Sequence, residues 1–388
     1  MYRTSNDDLF AQALRAGGVQ TTEVFARRGG FNVLTGGMSL PLLGGSIPDA
    51  PGDGGVRRTL NLEVADTTGE LYDALAPTGT TLHPFTVVQL SDDLQVRVPM
   101  GVFDVDVQRA QVGPSGGMSL TAPDGYARIQ RARLLAPYQS QVGVRVTQQI
   151  ADLIRHGLGY GTAVLNYSRS EATVPNALWD EDRAKAIEEL AAAAGVHVGV
   201  NRDGVWEIRD LPTLSSNSDW LVDASPTGVL LSGERERSRR GTANVVRVTG
   251  ETADANGVPF SPVIVWDLDP ASPTYAGPDP INRPDLAGPF GVVPYFYSSP
   301  LIQDAYAAEK TAKTILARTT GLASQLNLSA VRNPALDAFD VIDVLPPRRR
   351  PEDPLTVERH IVESVTHPLT PSGEQSITGR SSRSDQYQ

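Results

Sequence analysis

The 388-residue chain contains no cysteine, and this absence excludes several kinds of site at once. The chain can form no disulfide, offers no thiolate nucleophile and cannot hold zinc through sulfur. A chain of this length must therefore gain its stability from packing or from partner subunits.

Long apolar runs are also lacking. The longest candidate, residues 191–200, is interrupted by Gly195, His197 and Gly199, whereas a membrane-spanning helix needs about 20 apolar residues. The first residues include no apolar segment of the signal-peptide type. We therefore expect a protein that is made and folded in a cytoplasm.

Positive charge is in deficit, with 34 Lys and Arg against 45 Asp and Glu and a formal net charge of −11. Tight binding to nucleic acid requires clustered cations that neutralise phosphates. We therefore do not expect this chain to bind DNA tightly. An acidic chain is compatible with a surface past which DNA slides without sticking.

The motifs of familiar catalytic sites are missing as well. There is no H-E-x-x-H metal motif, no glycine-rich phosphate loop and no G-x-S-x-G elbow. His360 and His367 are seven residues apart in a strand-like segment, and this odd separation predicts opposite faces. We expect no catalytic residue, no cofactor and no metal site, and we interpret all five histidines as structural: His83, His156, His197, His360 and His367.

Two carboxylate groups keep one alternative open, because paired carboxylates can hydrolyse glycosidic bonds. Asp104 and Asp106 lie two apart in a strand-like segment, and Asp180 and Glu181 open a predicted helix. A solvated strand face explains the first pair, and compensation of the helix dipole explains the second. A tail-associated hydrolase of cell-wall polymer is therefore the alternative hypothesis.

Two basic runs occur, at residues 235–240 and 348–350. The first alternates with Glu234 and Glu236, which argues against a nucleic-acid site. We expect both runs to meet solvent or to form salt bridges between subunits.

The 36 glycines and 29 prolines punctuate short segments, as is typical of many strands joined by turns. Alternating segments at 21–26, 57–64, 95–107 and 118–122 predict a first β-barrel over residues 20–140. Pro99 and Gly101 interrupt the third segment and indicate a bend, as at a barrel corner. A short amphipathic helix at 6–16, with Asn6 as its cap, defines an N-terminal unit, residues 1–19. No repeat with a period of 20 to 50 residues is found.

A small α/β module with a linker is predicted over residues 141–236. Its helix, residues 180–194, begins with acidic residues and ends before Gly195. A hairpin follows, with strands at 196–200 and 205–209. The polar stretch 213–240 is predicted to be a linker or long loop.

A second β-barrel is predicted over residues 237–380, followed by a flexible tail at 381–388. A helix at 300–320 is inserted in it, with Ser299 as the cap and Pro300 in the first turn. The predicted class is α+β and mainly β, with the two barrels forming two separate closed sheets. Its strands are predicted at 243–251, 326–331, 339–345 and 358–366.

Four segments, in this order, resemble the hub proteins of tailed phages, particularly the minor tail proteins of actinobacterial long-tailed phages. They are residues 45–60, the stretch V-P-M-G-V-F-D-V at 98–105, the helix and hairpin at 184–212, and residues 307–342. The last includes N-P-A-L-D-A-F-D-V-I at 333–342, which is similar to the family pattern N-P-x-L-x-x-G-D-x-I. Phe339 stands where that pattern has glycine.

The resemblance implies a structural subunit of the virion tail and not an enzyme. In such hubs two β-barrels per chain lie side by side, and three chains form a ring that matches the hexameric tail tube. The implied partners are further copies of the chain, a distal tail protein or the tail tube, the end of the tape-measure protein, and a central spike, fibre or receptor-binding protein. The resemblance also implies a lumen that conducts DNA during ejection. A hub of a phage-derived injection or gene-transfer particle fits the same pattern.

Overall fold

The computed structural model describes residues 2, 7–51, 55–66, 69–111, 116–239, 241–250, 261–282, 287–299, 302, 305–320, 323–347, 356–370 and 373–381. The fold is mainly β, which confirms the predicted class. The helices are α1 (Asp7–Arg15), α2 (Glu70–Ala74), α3 (Tyr126–Arg131), α4 (Val146–Leu158), α5 (Arg183–Ala194) and α6 (Ala305–Thr319). Asn6, Pro300 and residues 348–350 lie outside the described residues.

Each of the four predicted alternating segments in the first part of the chain contains a strand, but the strands at 42–49 and 80–91 were not among them. They are β1 (Gln20–Arg28), β2 (Phe31–Asn32), β3 (Leu42–Asp49), β4 (Thr59–Ala65), β5 (Thr80–Ser91), β6 (Leu94–Pro99), β7 (Phe103–Asp104), β8 (Val107–Ala110), β9 (Gly117–Pro123), β10 (Tyr138–Gln139), β11 (Val164–Asn166) and β12 (Leu178–Trp179). The remaining strands are β13 (Val196–Val200), β14 (Trp206–Asp210), β15 (Trp220–Asp223), β16 (Leu230–Ser238), β17 (Val245–Gly250), β18 (Val263–Trp266), β19 (Pro294–Ser299), β20 (Ala323–Ala330), β21 (Val341–Leu345), β22 (Glu358–Pro368) and β23 (Gln375–Ser381).

The first strand block is a two-layered unit around one core. A sheet in the order β2-β1-β5-β6, with β7 on β5, packs against β3, β4 and β9. Leu60, Leu62 and Val64 alternate with exposed residues along β4, so one face of that strand lies in the core. Helix α1 adds Phe10 and Leu14 to the same core.

The expectation of two separate closed sheets is wrong. Strands β3, β4, β8 and β9 of the first block belong to one ten-stranded sheet with the strands of the last block. The order is β16-β20-β23-β22-β3-β4-β9-β8, and β21 and β15 branch from β22. The reason is the length of β22, which pairs with β21 through its first residues and with β3 through its last four, Val365–Pro368.

The last block nevertheless has its own core, to which β15, β16 and β20–β23 all contribute. Val222, Leu328, Val344, Val362 and Ile377 meet there. The prediction that residues 213–240 form a linker is therefore wrong, because β15 and β16 lie within that range. Residues 232–236 of β16 are exposed and mostly polar, so that strand has no apolar alternation.

The α/β module begins earlier than predicted. Helix α3 packs with α4 and α5 in one core, together with the predicted hairpin β13–β14 and with β11, which pairs parallel to β14. Helix α5 begins at Arg183, three residues later than expected, because the Asp182 carboxylate caps it by accepting a hydrogen bond from the Lys185 amide. Asp124 anchors the module to the strand blocks, since its carboxylate accepts hydrogen bonds from the amides of Tyr126, Arg57 and Arg58.

The insertion in the last block is more than a helix. The helix predicted at 300–320 begins later, at Ala305, and Ser299, its expected cap, is instead the last residue of β19. Strands β17, β18 and β19 form a separate three-stranded sheet, and α6 packs on it through Ala308 and Ala312. Along the chain this unit is inserted between β16 and β20, and those two strands pair with each other in the large sheet. The long loop after β18 is held by Asn244, which donates to the carbonyls of Thr274 and Gly291 and accepts from the Val293 amide.

A bulge in β22 reverses one prediction about histidines. The pairing of β22 with β23 shifts between Val362 and Ser364. The extra residue restores the same side-chain direction, so His360 and His367 are both buried on the inner face rather than on opposite faces.

Phe339 adopts a backbone conformation that favours glycine. Its φ is 71°, the only positive φ of a non-glycine residue in the described part of the chain. Its ring lies 4.7 Å from the His197 ring, centroid to centroid, and the Arg209 guanidinium lies 5.8 Å from the ring centre. Because His197 and Arg209 belong to the module, this strained residue joins the module to the last block.

We expect Phe339→Ala to be less stable than Phe339→Gly by about 1 kcal/mol, because alanine carries a Cβ in the left-handed region. Both variants lose the ring contacts, so the difference isolates the backbone. Urea unfolding of the two purified variants measures it. Equal stabilities, or a more stable alanine variant, would contradict the assignment of strain at this position.

Candidate functional site

The large sheet contains the same four-stranded arrangement twice. The first copy has the spatial order β3-β4-β9-β8 and the second has β16-β20-β23-β22. In both copies the four strands occur in the same chain order, and every neighbouring pair is antiparallel. The chain therefore contains two equivalent four-stranded segments in a single sheet, and each of them is called a wall below.

Short sequence matches accompany this structural repeat. Strands β3 and β16 both begin Leu-Leu-x-Gly, and both shift register directly after the first leucine, at Leu42 and Leu230. Strands β4 and β20 share Leu-Asn-Leu at 60–62 and 326–328. Strands β9 and β23 share Ser-Leu-Thr at 119–121 and Ser-Ile-Thr at 376–378. The matching residues also occupy equivalent positions in the strand pairing. Asn61 lies opposite Thr121 in the first copy, and Asn327 lies opposite Thr378 in the second.

The two repeats meet at the junction between β22 and β3. Its four residue pairs are Val365 with Asp49, Thr366 with Pro48, His367 with Ile47 and Pro368 with Ser46. At the two ends of the sheet, β16 and β8 each pair with one neighbour only among the described strands. A free strand edge exposes backbone donors and acceptors and is a template for pairing with another chain.

The face of this sheet that points away from the cores is small and polar. The residues at its outward positions include Ser232, Gln325, Asn327, Ser329, Ser376, Thr378, Ser364, Thr366, Ser46, Asn61, Ser119 and Thr121. The charged residues on this face are Glu63, Glu234, Glu236, Asp343 and Glu363 against Arg109, Arg359 and Arg380. Asp343 pairs with Arg359, and Glu363 pairs with Arg380. Hydroxyl and amide groups with a small acidic excess offer little attraction to phosphates.

Behind the junction lies a buried cluster of ion pairs that joins both blocks and the module. Arg202, from the β13–β14 turn, places Nε 3.0 Å from both carboxylate oxygens of Asp337. Its other nitrogens donate to the carbonyls of Pro99, Pro334 and Leu336. Arg202 thus contacts the first block through β6 and the last block through the loop before β21.

Two further arginines complete this cluster. Arg57 Nε lies 2.9 Å from Asp49 Oδ1, and Asp49 Oδ2 accepts from the Ala338 amide. Arg58 donates to the carbonyls of Met100 and Val200. Burial alone would raise the pKa of Asp337, but Arg202, Arg58 and Arg57 together hold that pKa well below its usual value. The cluster thus sets three guanidiniums against the carboxylates of Asp49 and Asp337, and it ties both blocks and the module together at the junction.

A neutral polar chain extends from the cluster at the same junction. The Gln375 amide donates to His367 Nδ1 and to the Asn333 carbonyl, and its oxygen accepts from the Asn333 amide. Burial, with Arg202 nearby, holds the pKa of His367 well below its usual value. His367 is therefore a neutral acceptor in the wall between the repeats.

The candidate carboxylates are held by arginines. Asp104 forms two hydrogen bonds with Arg128, of 2.7 and 2.6 Å, and Asp106 lies 2.5 Å from Arg131. The second pair does not join the first: Glu181 is exposed and lies 3.9 Å from Arg133, and Asp180 is exposed beside it. The structure brings no two of the candidate carboxylates together across a cleft.

The histidines are equally dispersed. His83 bonds Thr81, His156 bonds Arg183, and His197 stacks on Phe339. Among the residues that the structure describes, no group of three His, Asp or Glu side chains could hold a metal ion. Within that same part of the chain, no helix is both long and apolar enough to cross a membrane.

The first basic run lies in β16 as far as Ser238; Arg239 follows the strand, and Arg240 is outside the described residues. Arg235 pairs with Glu358 of β22 across the open end of the last core, at 2.5 Å. Sequence reasoning identified this run but missed the strand and the edge on which it lies. The Leu-Asn-Leu and Ser-Leu/Ile-Thr matches were the available signal for the repeat.

Structural comparison finds phage tail proteins with a similar fold. A tail protein from Neisseria meningitidis MC58 matches with a TM-score of 0.63 and 11% identity, over 93% of this chain and 97% of that chain. The 43 kDa tail protein of prophage MuSo2 from Shewanella oneidensis matches with a TM-score of 0.55 and 12% identity, over 94% and 99%. The chain has a phage tail protein fold.

A third similar structure is the lidless PdpA–VgrG complex, with a TM-score of 0.52 and 10% identity, over 93% of this chain and 64% of that chain. The sequence itself matches no protein-family model and no curated protein. The similarity to tail proteins is therefore found by comparing structures, whereas the two sequence comparisons find no match.

We expect Arg202→Met to lower the free energy of unfolding by about 3–5 kcal/mol, because it leaves Asp337 buried without its main partner. The control is Arg145→Met, which removes an exposed ion pair with Glu171 and should cost less than about 1 kcal/mol. Chemical denaturation of both variants measures the difference. Equal effects would contradict the assignment of Arg202 as the main partner of a buried Asp337.

We expect stability to fall with acid partly through His367. Its folded pKa lies below its unfolded value of about 6.5, so the unfolded chain binds the proton first, and stability declines as pH falls below about 6.5. His367→Asn keeps an acceptor for Gln375 and should reduce the slope by up to about 1.4 kcal/mol per pH unit. Denaturation curves at pH 8, 6 and 5 measure this. At pH 8 the imidazole is neutral in both the folded and the unfolded state. A difference in stability between His367→Asn and the native chain that is the same at all three pH values would therefore contradict the assignment.

Proposed function

We propose that this protein is the structural subunit of a phage tail tip or baseplate hub, in which three copies form a ring. The observation that carries the proposal is the repeated wall in one sheet, at whose two ends β16 and β8 each pair on one side only among the strands that the structure describes. An interface between two different edges is heterologous, and it generates a closed ring when the rotation between copies closes. Two repeats per chain place six equivalent walls around the axis of a three-chain ring, which suits a hexameric tube.

The polar outer face of the ten-stranded sheet is the proposed lumen. It is rich in serine, threonine, asparagine and glutamine, and its few charges are mostly carboxylates. DNA passing such a wall finds few cations to bind during ejection. The acidic composition of the whole chain agrees with a conduit and disfavours a DNA-binding surface.

The proposed neighbours are the distal tail protein or tail tube, the end of the tape-measure protein, and a spike, fibre or receptor-binding protein. The fold shared with the tail proteins and with the VgrG complex supports a position in the tail of a virion. The resemblance to VgrG also favours a second candidate, a hub in a phage-derived injection particle. Genomic neighbourhood separates the two, since the ring would be the same.

We propose no enzymatic activity for this chain. The chain would act through the shape of the ring that it forms. The hydrogen bonds of Asp104 with Arg128 and of Asp106 with Arg131 support this view, because they engage both carboxylates. Zymography on peptidoglycan with the purified protein tests it. Clearing that disappears in Asp104→Asn or Asp106→Asn would overturn this part of the proposal.

Light scattering coupled to gel filtration tests the ring. We expect a species of three times the mass of one chain, formed by the protein alone or with its tail partners, and ring-shaped particles by electron microscopy. A protein that remains monomeric both alone and with the partners would contradict the proposal.

A further inference from the structure

The repeated wall allows the contact between copies to be derived residue by residue, if the hub proposed above is correct. Strand β3 corresponds to β16, since Leu42 and Leu230 occupy the same bulged position. Pro48 on β3 then corresponds to Glu236 on β16. Strand β8 corresponds to β22 in the same way, because Arg109 faces Ser119 and Thr366 faces Ser376.

The junction inside the chain then serves as the template for the junction between chains. Thr366 faces Pro48 where β22 meets β3. Exchanging each residue for its counterpart in the other repeat sets Arg109 of one copy opposite Glu236 of the next. The full transferred register pairs Gln108 with Arg237, Arg109 with Glu236, Ala110 with Arg235 and Gln111 with Glu234.

This register pairs opposite charges without having been chosen to do so. Arg109 and Glu236 are both exposed and lie on the outward face of their edge strands. Directly opposite residues of unlike charge stabilise an antiparallel pair, and like charges destabilise it. The junction inside the chain has no such pair, since Thr366 and Pro48 are uncharged.

Charged residues on an edge strand also prevent pairing with the wrong partner. Strand β16 carries alternating glutamate and arginine from Glu234 to Arg237, so a register slip of one residue would set Arg109 opposite an arginine. The alternation therefore disfavours a slip of one residue. A slip of two residues would set Arg109 opposite Glu234, so it is the template of the internal junction that selects Glu236.

We propose that β8 of one copy pairs antiparallel with β16 of the next, with Arg109 opposite Glu236, so that one continuous sheet runs through all copies of the ring. The occupant of each free edge is thus a second copy of this chain. The junction inside the chain assigns the register of this contact, and the charge pair disfavours a slip of one residue.

The absence of cysteine makes disulfide trapping a direct test. In Arg109→Cys/Glu236→Cys each copy carries one thiol on each edge, and opposite residues of an antiparallel pair lie within the span of about 4.4–6.8 Å between Cα atoms that a disulfide needs. Oxidation should convert the chains into covalent trimers on non-reducing gels. Arg109→Cys/Glu234→Cys, two residues out of register, is the matched control and should stay uncrosslinked.

Single-cysteine variants separate this contact from self-pairing. Glu236→Cys alone crosslinks only if β16 pairs with β16 of another copy, and Arg109→Cys alone only if β8 pairs with itself. Covalent dimers from either single variant would overturn the proposed contact.

Charge reversal tests the same contact without a covalent bond. Arg109→Glu sets two carboxylates opposite each other, as Glu236→Arg sets two guanidiniums, and each should weaken ring formation by about tenfold or more. The double variant Arg109→Glu/Glu236→Arg should restore it. If the double variant loses as much free energy of ring formation as the two single variants together, the proposed register is wrong.

The outcomes distinguish this inference from the proposed function. A native ring seen by light scattering, with no crosslink between positions 109 and 236, would reject the register and leave the hub intact. A native chain that never forms a ring with its partners would reject both. Covalent trimers in the matched pair, and none in the control, support the contact.

Discussion

The pairing of β22 with β3 is the contact on which the rest of the architecture depends. Four residue pairs convert two strand blocks, each with its own core, into one sheet. Backbone hydrogen bonds alone do not fix the register of this pairing, because a strand can slip along its neighbour. The register is fixed behind the sheet, where Asp49 pairs with Arg57 and Arg202 binds Asp337. Burial makes those ion pairs intolerant of displacement, because a slip would leave charges without partners.

The same cluster positions the module. Arg202 enters from the β13–β14 turn, and Phe339 accepts an unfavourable φ to place its ring between the last block and the module. The buried charged groups are thus collected behind the sheet, and hydroxyl and amide side chains predominate on the outward face. That division of chemistry suits a wall whose inner structure must be rigid and whose surface must not bind what passes.

Much of the secondary structure could be predicted from the sequence, because period-two alternation in β4 and β9 and the cap and C-terminal glycine of α5 are local signals. The strand β16 was not predictable in this way, since its outward glutamates and inward Arg235 carry no apolar alternation. The histidines of β22 were placed on opposite faces because a bulge has no sequence signature of its own. The shared sheet depends on residues more than 300 positions apart, as with Ser46 and Pro368, and no local pattern encodes such a pairing. The glycine-like turn at Phe339 was indicated only by the resemblance, and its φ of 71° agrees with it.

The central claim is that one sheet continues from chain to chain and closes into a wall. An electron cryo-microscopy reconstruction of the assembled tail tip, at a resolution that separates strands, tests it most directly. The account predicts a threefold ring in which β8 of each copy lies at strand spacing, about 4.8 Å, from β16 of the next, with the polar face towards the axis. Edges separated by solvent or by another protein, or a polar face turned outward, would contradict it.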